Sequence, residues 1–383
     1  MRTRLERSRD TTTWRVSLGS ADFDALLARI FEGATRRDAD PAFPNEPFRD
    51  LAAAGFLAMP VPDPVGTRGR RASFSEEWRV LRAVAAADGS VGRIFDGHLN
   101  GVERLTTLAP EPLRTRELEA VAAGELLLGV WGADPIPGEG QPARLIDTTT
   151  GPVLEGVKTF CSGSTGLDRA LVAVRDTDGA PGPPLLAYVD LKSGGIEVDR
   201  GWFRGFGMRS SESHRIIFRG ARVLAILGEP GELIREPYFA RDAIRTAATW
   251  VGIADLAIDA ALGILASKSV GREPDEIVSL AAGRMLAARD TMDCWLEHAA
   301  RQADEDPEKS LASFSTSLRA TIAASCREIL GEAARACGSH PFAVASSLDR
   351  ARRDLELFLL QHRLEPALTR AGRGAIAERR SRS

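Results

Sequence analysis

The sequence of 383 residues is poor in the residues that build metal centres and disulfide frameworks. None of its four cysteines (Cys161, Cys294, Cys326 and Cys337) lies in a Cys-x-x-Cys spacing, and each sits in an apolar stretch. Its five histidines are scattered, without a His-Glu-x-x-His motif or a Cys/His cluster. We therefore expect no bound metal, and we interpret the cysteines as buried thiols in a reducing compartment.

Excess positive charge and long apolar runs are also missing. The net charge is −3 and the isoelectric point is near 6.1, which argues against a protein that binds nucleic acid through its phosphates. No uncharged apolar run reaches the roughly 18–20 residues of a membrane span. The basic N-terminal stretch lacks the apolar core of a secretory signal. We expect a soluble, cytoplasmic protein without a nucleic-acid or membrane partner.

What the sequence does contain is a β-rich segment between two helical blocks. Apolar runs bounded by Gly, Pro and Asp, the pattern of strands, occur at residues 125–135, 151–163, 169–175, 184–190 and 215–223. Helical periodicity precedes and follows them, including a capping-box pattern at Ser73 and Glu76. The sequence predicts an α+β, mostly α fold, with a helical domain over residues 1–123, a β domain over 124–230 and a four-helix bundle over 231–383. The arginine-rich tail from Arg370 is interpreted as a solvated end.

Six stretches, in this order, resemble motifs of the acyl-CoA dehydrogenase superfamily. They are AAADGSVGRIFDGHLNG (85–101), GVWGADP (129–135), GVKTFCSG (156–163), GMRSSESHRIIFRGARV (207–223), RTAATWVGIADLAIDAALG (245–263) and DRARRDLELFLLQHR (349–363). The resemblance covers roughly residues 40–365. It implies an acyl-CoA dehydrogenase-like fold, in which a helical domain and a four-helix bundle enclose a small β-barrel and FAD lies between barrel and helices.

The resemblance also implies where a flavin ring binds. Phe160 takes the place of the family's tryptophan beside the flavin, and Ser162 takes the place of the threonine that contacts flavin N5. Ala133 replaces a threonine on the other strand that lines the ring. The implied cofactor-binding residues at this end are Val130, Trp131, Gly132, Ala133, Phe160, Cys161 and Ser162. The alternative interpretation is that residues 160–162 only fill a corner of the barrel.

The phosphate end of the cofactor site departs from the family pattern. The family's Arg-x-x-Phe-Gly is reduced to its glycine in the run from Ser267 to Gly271, so Lys268 or Arg272 would have to supply the cation. The family's Gln-x-x-Gly-Gly-x-Gly is reduced to the run from Cys337 to His340, where Gly338 remains. FAD is the cofactor that the resemblance implies, with FMN as the alternative.

The catalytic base is the third point that the resemblance addresses. His362 falls on the position of the family's Tyr-Glu-Gly glutamate, where an imidazole can act as a general acid or base; it is equally a polar residue after a helix end. Asp242 falls where isovaleryl-CoA dehydrogenase has its glutamate, or else it is a solvated helix charge. His98 is a candidate substrate-binding residue, with a core histidine as the commoner explanation.

Three functions follow from this pattern. The first is an FAD-dependent dehydrogenase of an acyl thioester, carried on CoA or an acyl-carrier protein, which abstracts a proton, passes hydride to flavin N5 and uses an electron-transfer flavoprotein. The second is a reduced-flavin-dependent monooxygenase of the same fold, served by a separate flavin reductase. The third is a non-catalytic scaffold protein. In each case the alanine-rich C-terminal helices predict a homodimer or homotetramer.

Overall fold

Helices with well-defined ends form the N-terminal part of the computed structural model, which describes residues 16–62, 71–176, 182–271, 273–361 and 363–382. Ser73 and Glu76 form the predicted capping box, in which each side chain accepts from the other's backbone N–H. Asp88 accepts from the N–H groups of Ser90 and Val91 and so begins the next helix. The helices are α1 (Ala21–Ala39), α2 (Asn45–Ala54), α3 (Phe74–Ala87), α4 (Gly89–Leu108) and α5 (Leu113–Ala123).

The middle of the chain is a small β-barrel. Its strands are β1 (Leu128–Trp131), β2 (Arg144–Ile146), β3 (Val153–Cys161), β4 (Arg169–Val174), β5 (Leu185–Asp190), β6 (Ile196–Asp199) and β7 (His214–Ile226). They are ordered β1-β4-β5-β7-β3-β2, and β6 pairs with β7. The N–H of Thr159 donates to the carbonyl of Ala133, 3.1 Å away, and thereby joins β3 to the end of β1. This contact closes the sheet and confirms the barrel.

The C-terminal part is a helix bundle built on α6 (Tyr238–Lys268). The other helices are α7 (Glu276–Glu305), α8 (Ala312–Cys337), the short α9 (His340–Ala343), α10 (Ser347–Phe358) and α11 (Glu365–Ser381). α6 is long and apolar enough to cross a membrane, but α3, α4, α8 and α10 pack against it and most of it is buried in the protein. It is the central helix of the bundle.

The predicted domain boundaries at 123/124 and 230/231 lie between α5 and β1 and between β7 and α6. The tail is exposed, as expected of a solvated end, but it is helical rather than irregular, because α11 continues to Ser381 without one buried residue. Its alanine and arginine content favours a helix even without packing.

The segment between β6 and β7 connects the barrel to the helical domains. It includes a 3₁₀ turn, Arg209–Ser211, that lies against α4 and α1. Gly207 approaches the backbone of α10 so closely that a Cβ there would lie 2.0 Å from the carbonyl oxygen of Arg353. Only glycine permits this approach. The fold therefore holds this segment directly against α10, beside the end of β3.

Candidate functional site at the edge of the barrel

A bulge near the end of β3 turns one aromatic side chain out of the barrel. Lys158 pairs with Ile216 and Cys161 pairs with His214, so two residues of β3 oppose one residue of β7. Phe160 lies in this bulge with φ +52°, a conformation that bulky residues rarely adopt. The residue is 50% exposed, and its ring stands edge-on to Trp202, with ring centroids 4.9 Å apart. Bulges of this kind re-aim side chains next to functional sites.

The end of β1 lies beside this bulge. Besides the bond from Thr159 to Ala133, the indole N–H of Trp131 donates to the carbonyl of Ser162, 3.1 Å away. Gly132 and Ala133 are both exposed, and within the described residues their N–H groups have no recorded acceptor. The sequence-predicted residues on the two strands are therefore brought together at one edge of the barrel.

A short chain of hydroxyl groups extends from this edge into the protein. Ser162 Oγ is 2.8 Å from Ser213 Oγ, which is in turn 2.7 Å from Ser211 Oγ. Ser211 and Ser213 are buried, whereas Ser162 is half-buried. Each hydroxyl can both donate and accept, so the outermost one, on Ser162, can be supported as a donor by the two behind it.

A buried lysine links the two strand ends at this edge of the barrel. Lys158 donates to the carbonyl of Gly132 at 3.1 Å and to Oδ1 of Asp134 at 2.8 Å. Burial lowers the pKa of Lys158, while the Asp134 carboxylate works in the opposite direction. Because Lys158 lies on β3 and its two acceptors follow β1, the side chain fixes the spacing of the two strand ends.

The residues at this edge fit a flavin ring. A planar heteroaromatic ring needs an apolar wall and a few fixed donors. Phe160 supplies the wall, and the Ser162 hydroxyl and the unpartnered N–H groups of Gly132 and Ala133 supply donors. Gly132 has no side chain to narrow the space in front of the strand. The atom nearest to a Cβ built there would be Leu233 Cδ2, 3.4 Å away. The barrel edge is therefore chemically suited to bind the isoalloxazine part of a flavin.

Three residues in the predicted flavin-binding set turn their side chains away from this edge. Cys161 is fully buried, and burial raises the pKa of its thiol. Trp131 is also buried, apart from its bond to Ser162. Val130 packs against the core beneath α5. Strand alternation explains Cys161 and Trp131, because the neighbours of the outward-facing Phe160 and Gly132 point inward. Their backbones, not their side chains, lie at the site.

The predicted phosphate-binding residues lie at the C-terminal end of α6, opposite to the end that holds Asp242. Lys268 donates to the carbonyl of Cys337 at 2.7 Å, beside Gly338, which ends α8 with φ +75°. The 26 residues of helix between Asp242 and Lys268 span roughly 39 Å. Lys268 and Gly338 are thus close to each other but far from the start of α6. Arg272 lies outside the described residues.

Asp242 lies in a network of buried charges between α3, α4 and α6. Its Oδ1 accepts from Arg104 at 2.8 Å, and its Oδ2 lies 2.5 Å from the same guanidinium. Arg104 also donates to the carbonyl of Leu233 at 2.9 Å. Burial raises the pKa of Asp242 to about 6, against the attraction of Arg104 and Arg245. The carboxylate is therefore engaged in an ion pair and is not the solvated helix charge that was the alternative.

His98 is placed as a core histidine. Its Nδ1 accepts from the N–H of Leu128 at 3.1 Å, and its Nε2 lies 2.9 Å from the carbonyl of Leu57. The ring is fully buried, and burial lowers its pKa to about 4. Both nitrogens are engaged by the protein, so the ring offers neither to a substrate. His362, the other candidate acid or base, lies outside the described residues.

Sequence reasoning missed the residues that follow the 3₁₀ turn. Glu212 has φ +48° and is buried, and its carboxylate accepts from Thr165 at 2.7 Å and lies 3.4 Å from His214 Nε2. Met208, before the turn, has φ +54°. Two left-handed residues around one turn are the signal of a strained segment, but no pattern of residue types in the sequence reveals it.

The fold is acyl-CoA dehydrogenase-like, and the barrel edge is suited to a flavin ring. Residues 24–125 match the family described as acyl-CoA dehydrogenase, N-terminal domain. The structure of FMN-bound TdsC from Paenibacillus sp. A11-2 covers 92% of this chain and 96% of that one, with a TM-score of 0.82 and 20% identity. Methanesulfinate monooxygenase MsuC from Pseudomonas fluorescens covers 95% and 98%, with a TM-score of 0.79 and 21% identity. Residues 24–125 therefore resemble the N-terminal domain of that family, and the chain has an acyl-CoA dehydrogenase-like fold.

One sequence relative adds to this. The chain is 29% identical over 198 residues to a dibenzothiophene monooxygenase of Rhodococcus erythropolis, and the match covers 49% of this chain and 44% of the relative. The chain thus spans less than half the length of this relative. Two of the proteins named here, MsuC and the Rhodococcus relative, are monooxygenases by name.

Proposed function

We propose that the protein is a monooxygenase that uses reduced flavin, supplied as FMN by a separate reductase, to oxygenate a small molecule. This is the second of the functions that the sequence predicted. It is supported by the monooxygenase relatives and by the barrel edge, where Phe160 and Ser162 face outward together.

The observation that favours a monooxygenase over a dehydrogenase is the ion pair between Asp242 and Arg104. Acyl thioester dehydrogenation needs a carboxylate or another base that is free to take a proton from the substrate. Asp242 is held by both terminal guanidinium nitrogens of Arg104, and removing it from this pair would leave a fully buried arginine without a carboxylate partner. A monooxygenase does not require that carboxylate as a base.

The residues of the chain would act mainly by position. Reduced flavin, when bound, supplies the two electrons that activate O₂. Phe160 would cover one face or edge of the ring and exclude water from it. Ser162, backed by Ser213 and Ser211, would hold a proton near the ring, since a chain of hydroxyls can donate and accept in turn. Lys158 and Asp134 would keep the two strand ends at a fixed spacing.

FMN rather than FAD is favoured by the contacts at Lys268. In this chain its ammonium caps the carbonyl end of α8 at Cys337, where a cation is stabilised by the helix dipole. That position is the one at which the superfamily resemblance placed a cation for the FAD pyrophosphate. A cofactor without the adenine half needs no such cation. A homodimer or homotetramer and a cytoplasmic location remain part of the proposal.

An oxygen-transfer assay tests this function. The purified chain, FMN, NADH and a flavin reductase are incubated with a panel of aromatic, organosulfur and amine substrates under ¹⁸O₂, and products are analysed by mass spectrometry. We expect one substrate class to gain a single ¹⁸O atom only when flavin is reduced. Phe160→Ala should lose this activity, and Phe31→Ala, a similar exposed ring on α1, should keep it. Anaerobic bleaching of bound FAD by an acyl-CoA, without oxygen transfer, would instead establish the dehydrogenase.

A further inference from the structure

A second cavity lies beside the barrel edge and is lined by arginines. It has a volume of about 680 Å³, and its walls come from the segment between β6 and β7, from α10 and from the loop after α1. The charged residues around it are Arg200, Arg204, Arg209, Arg353 and Glu212. We call it the arginine pocket. Its size is that of a small-molecule site rather than of a single ion.

The charges of the arginine pocket do not cancel. Arg353 is paired with Asp38 and Asp349, and Arg200 lies 3.8 Å from Glu212. Arg204 makes a bond to the carbonyl of Gly201, and Arg209 has no recorded partner; within the described residues neither lies within ion-pair distance of a carboxylate. Two guanidinium groups therefore leave the pocket positive.

One buried polar atom of the pocket also lacks a partner. His214 is 7% exposed and lines the cavity; its Nε2 faces Glu212 at 3.4 Å, whereas its Nδ1 is buried without a hydrogen bond. Burial would raise the pKa of Glu212, but hydrogen bonds from His214 and Thr165 bring it below its usual range, so this carboxylate stays charged. A buried imidazole nitrogen without a partner is costly unless a ligand completes it.

The backbone that presents Arg209 is strained and anchored. Met208 and Glu212, on either side of the 3₁₀ turn, have φ +54° and +48°. Asp354 on α10 accepts the N–H of Met208 at 2.5 Å, and Thr165 holds the Glu212 side chain. Strain of this kind persists where surrounding contacts over-determine it, which is typical of ligand clamps.

Aromatic rings line the same cavity. Phe203 stands edge-on to His214 with centroids 6.4 Å apart, and Phe206 is 85% exposed. Next to Phe203, Trp202 contacts Phe160 at the proposed flavin edge. Ser213 lies between Glu212 and His214 and bonds to Ser162. The pocket and the flavin edge are therefore adjacent and share one strand end.

We infer that the arginine pocket binds a small molecule that carries a phosphate group next to an aromatic ring. Guanidinium groups bind phosphate oxygens in pairs, and exposed phenylalanine rings stack on heteroaromatic rings. Two sources share this chemistry, a phosphorylated substrate and the phosphate of FMN itself. Binding of such a molecule is inferred from the pocket alone. Only the description of that molecule as the substrate or the cofactor rests on the proposed function.

The test is a binding measurement that needs no catalysis. The full chain is titrated by calorimetry with AMP, adenosine, FMN and riboflavin, without reductant. We expect at least one phosphorylated member of a pair to bind about tenfold or more tightly than its unphosphorylated partner. Arg209→Gln should abolish that preference. Arg219→Gln, at an exposed position of β7 where the arginine is paired with Glu197, is the matched control and should preserve it.

The two ligand pairs distinguish a substrate phosphate from the FMN phosphate, and a second variant covers the case in which the first does not fold. A preference for AMP over adenosine assigns the pocket to a substrate phosphate, and a preference confined to FMN over riboflavin assigns it to the cofactor. If Arg209→Gln unfolds, Arg204→Gln, at the more exposed guanidinium, repeats the test. Equal binding within both pairs, or the same loss in Arg219→Gln, overturns the inference. Because oxygen transfer is not measured, a failed monooxygenase assay leaves this result standing.

Discussion

The ring of Phe160 meets the indole of Trp202 edge-on, with 4.9 Å between the ring centroids, although its backbone is left-handed. The contact draws the phenylalanine outward at the place where β3 bulges. Strain in the backbone and exposure of an aromatic ring both oppose stability. Their combination at one residue indicates a position maintained for binding.

Substitution of Phe160 should therefore separate stability from flavin binding. Phe160→Ala and Phe160→Gly both remove the ring, and each should weaken reduced FMN binding by about tenfold or more. Glycine also relieves the left-handed strain, so Phe160→Gly should be more stable than Phe160→Ala by about 1 kcal/mol. Urea unfolding and anaerobic flavin titration measure the two effects. Unchanged flavin affinity in both variants would remove Phe160 from the site.

Asp354 should impose a pH dependence on stability. Burial, helped by Asp88 and Asp38 and opposed by the bond from Met208, raises the pKa of Asp354 to about 7. Between roughly pH 4 and 7 the folded state keeps a proton that the unfolded state has lost, so the free energy of unfolding should fall as pH rises, by at most about 1.4 kcal/mol per pH unit.

Comparison with Asp354→Asn isolates this effect. The amide oxygen of asparagine can still accept from Met208, but it carries no charge. The stability difference between parent and variant should therefore slope with pH between pH 4 and 7 and be flat above pH 7. Asp24→Asn, at an exposed position on α1, is the control for the loss of one carboxyl group. A parallel pair of profiles for Asp354→Asn and the parent would contradict the buried protonated carboxyl.

His98 should make the protein less stable as pH falls, which is the opposite of the effect of Asp354. Burial lowers its pKa to about 4, so the folded state holds the neutral ring while the unfolded chain takes up a proton below about pH 6.5. The contribution of His98 to stability should therefore be lost as pH falls from about 6.5 to 4. Thermal unfolding of His98→Gln across this range should lack that loss. Full acid sensitivity in the variant would show that another group is responsible.

Asp242 should prove structural. Asp242→Ala leaves the buried guanidinium of Arg104 without its carboxylate, which should cost roughly 3–5 kcal/mol of unfolding free energy. Asp242→Asn keeps a hydrogen-bond acceptor and should cost less. If the protein is a monooxygenase, oxygenation per folded molecule should be little changed in Asp242→Asn. A normal fold with abolished turnover would return Asp242 to the role of catalytic base.

Local signals in the sequence predicted much of the fold. The Ser73 and Glu76 capping box and the helical periodicity on either side of the β-rich segment are properties of neighbouring residues, and the structure has the capping box and helices there. The two strands of the flavin edge were also found, because motif order relates them to a known superfamily. The helical tail was missed, since α11 buries none of its residues and so carries no apolar stripe that marks a helix.

The remaining features of the site depend on distant contacts. The left-handed Met208 is held by Asp354, 146 residues away in the chain, and no local pattern reveals that bond. The bulge at Phe160 depends on register with β7, and Asp242 was recognisable as an ion-pair partner only once α4 lay beside α6. Strand alternation could have shown in advance that Cys161 points inward beside an outward Phe160.

The central claim is tested most directly by the affinities of the purified chain for reduced and oxidised FMN, measured anaerobically in the same buffer. A monooxygenase served by a separate reductase should bind reduced FMN more tightly than oxidised FMN, by about tenfold or more, and Ser162→Ala should narrow that difference. Tight retention of oxidised FAD, reduced on addition of an acyl-CoA, would contradict the account and restore the dehydrogenase.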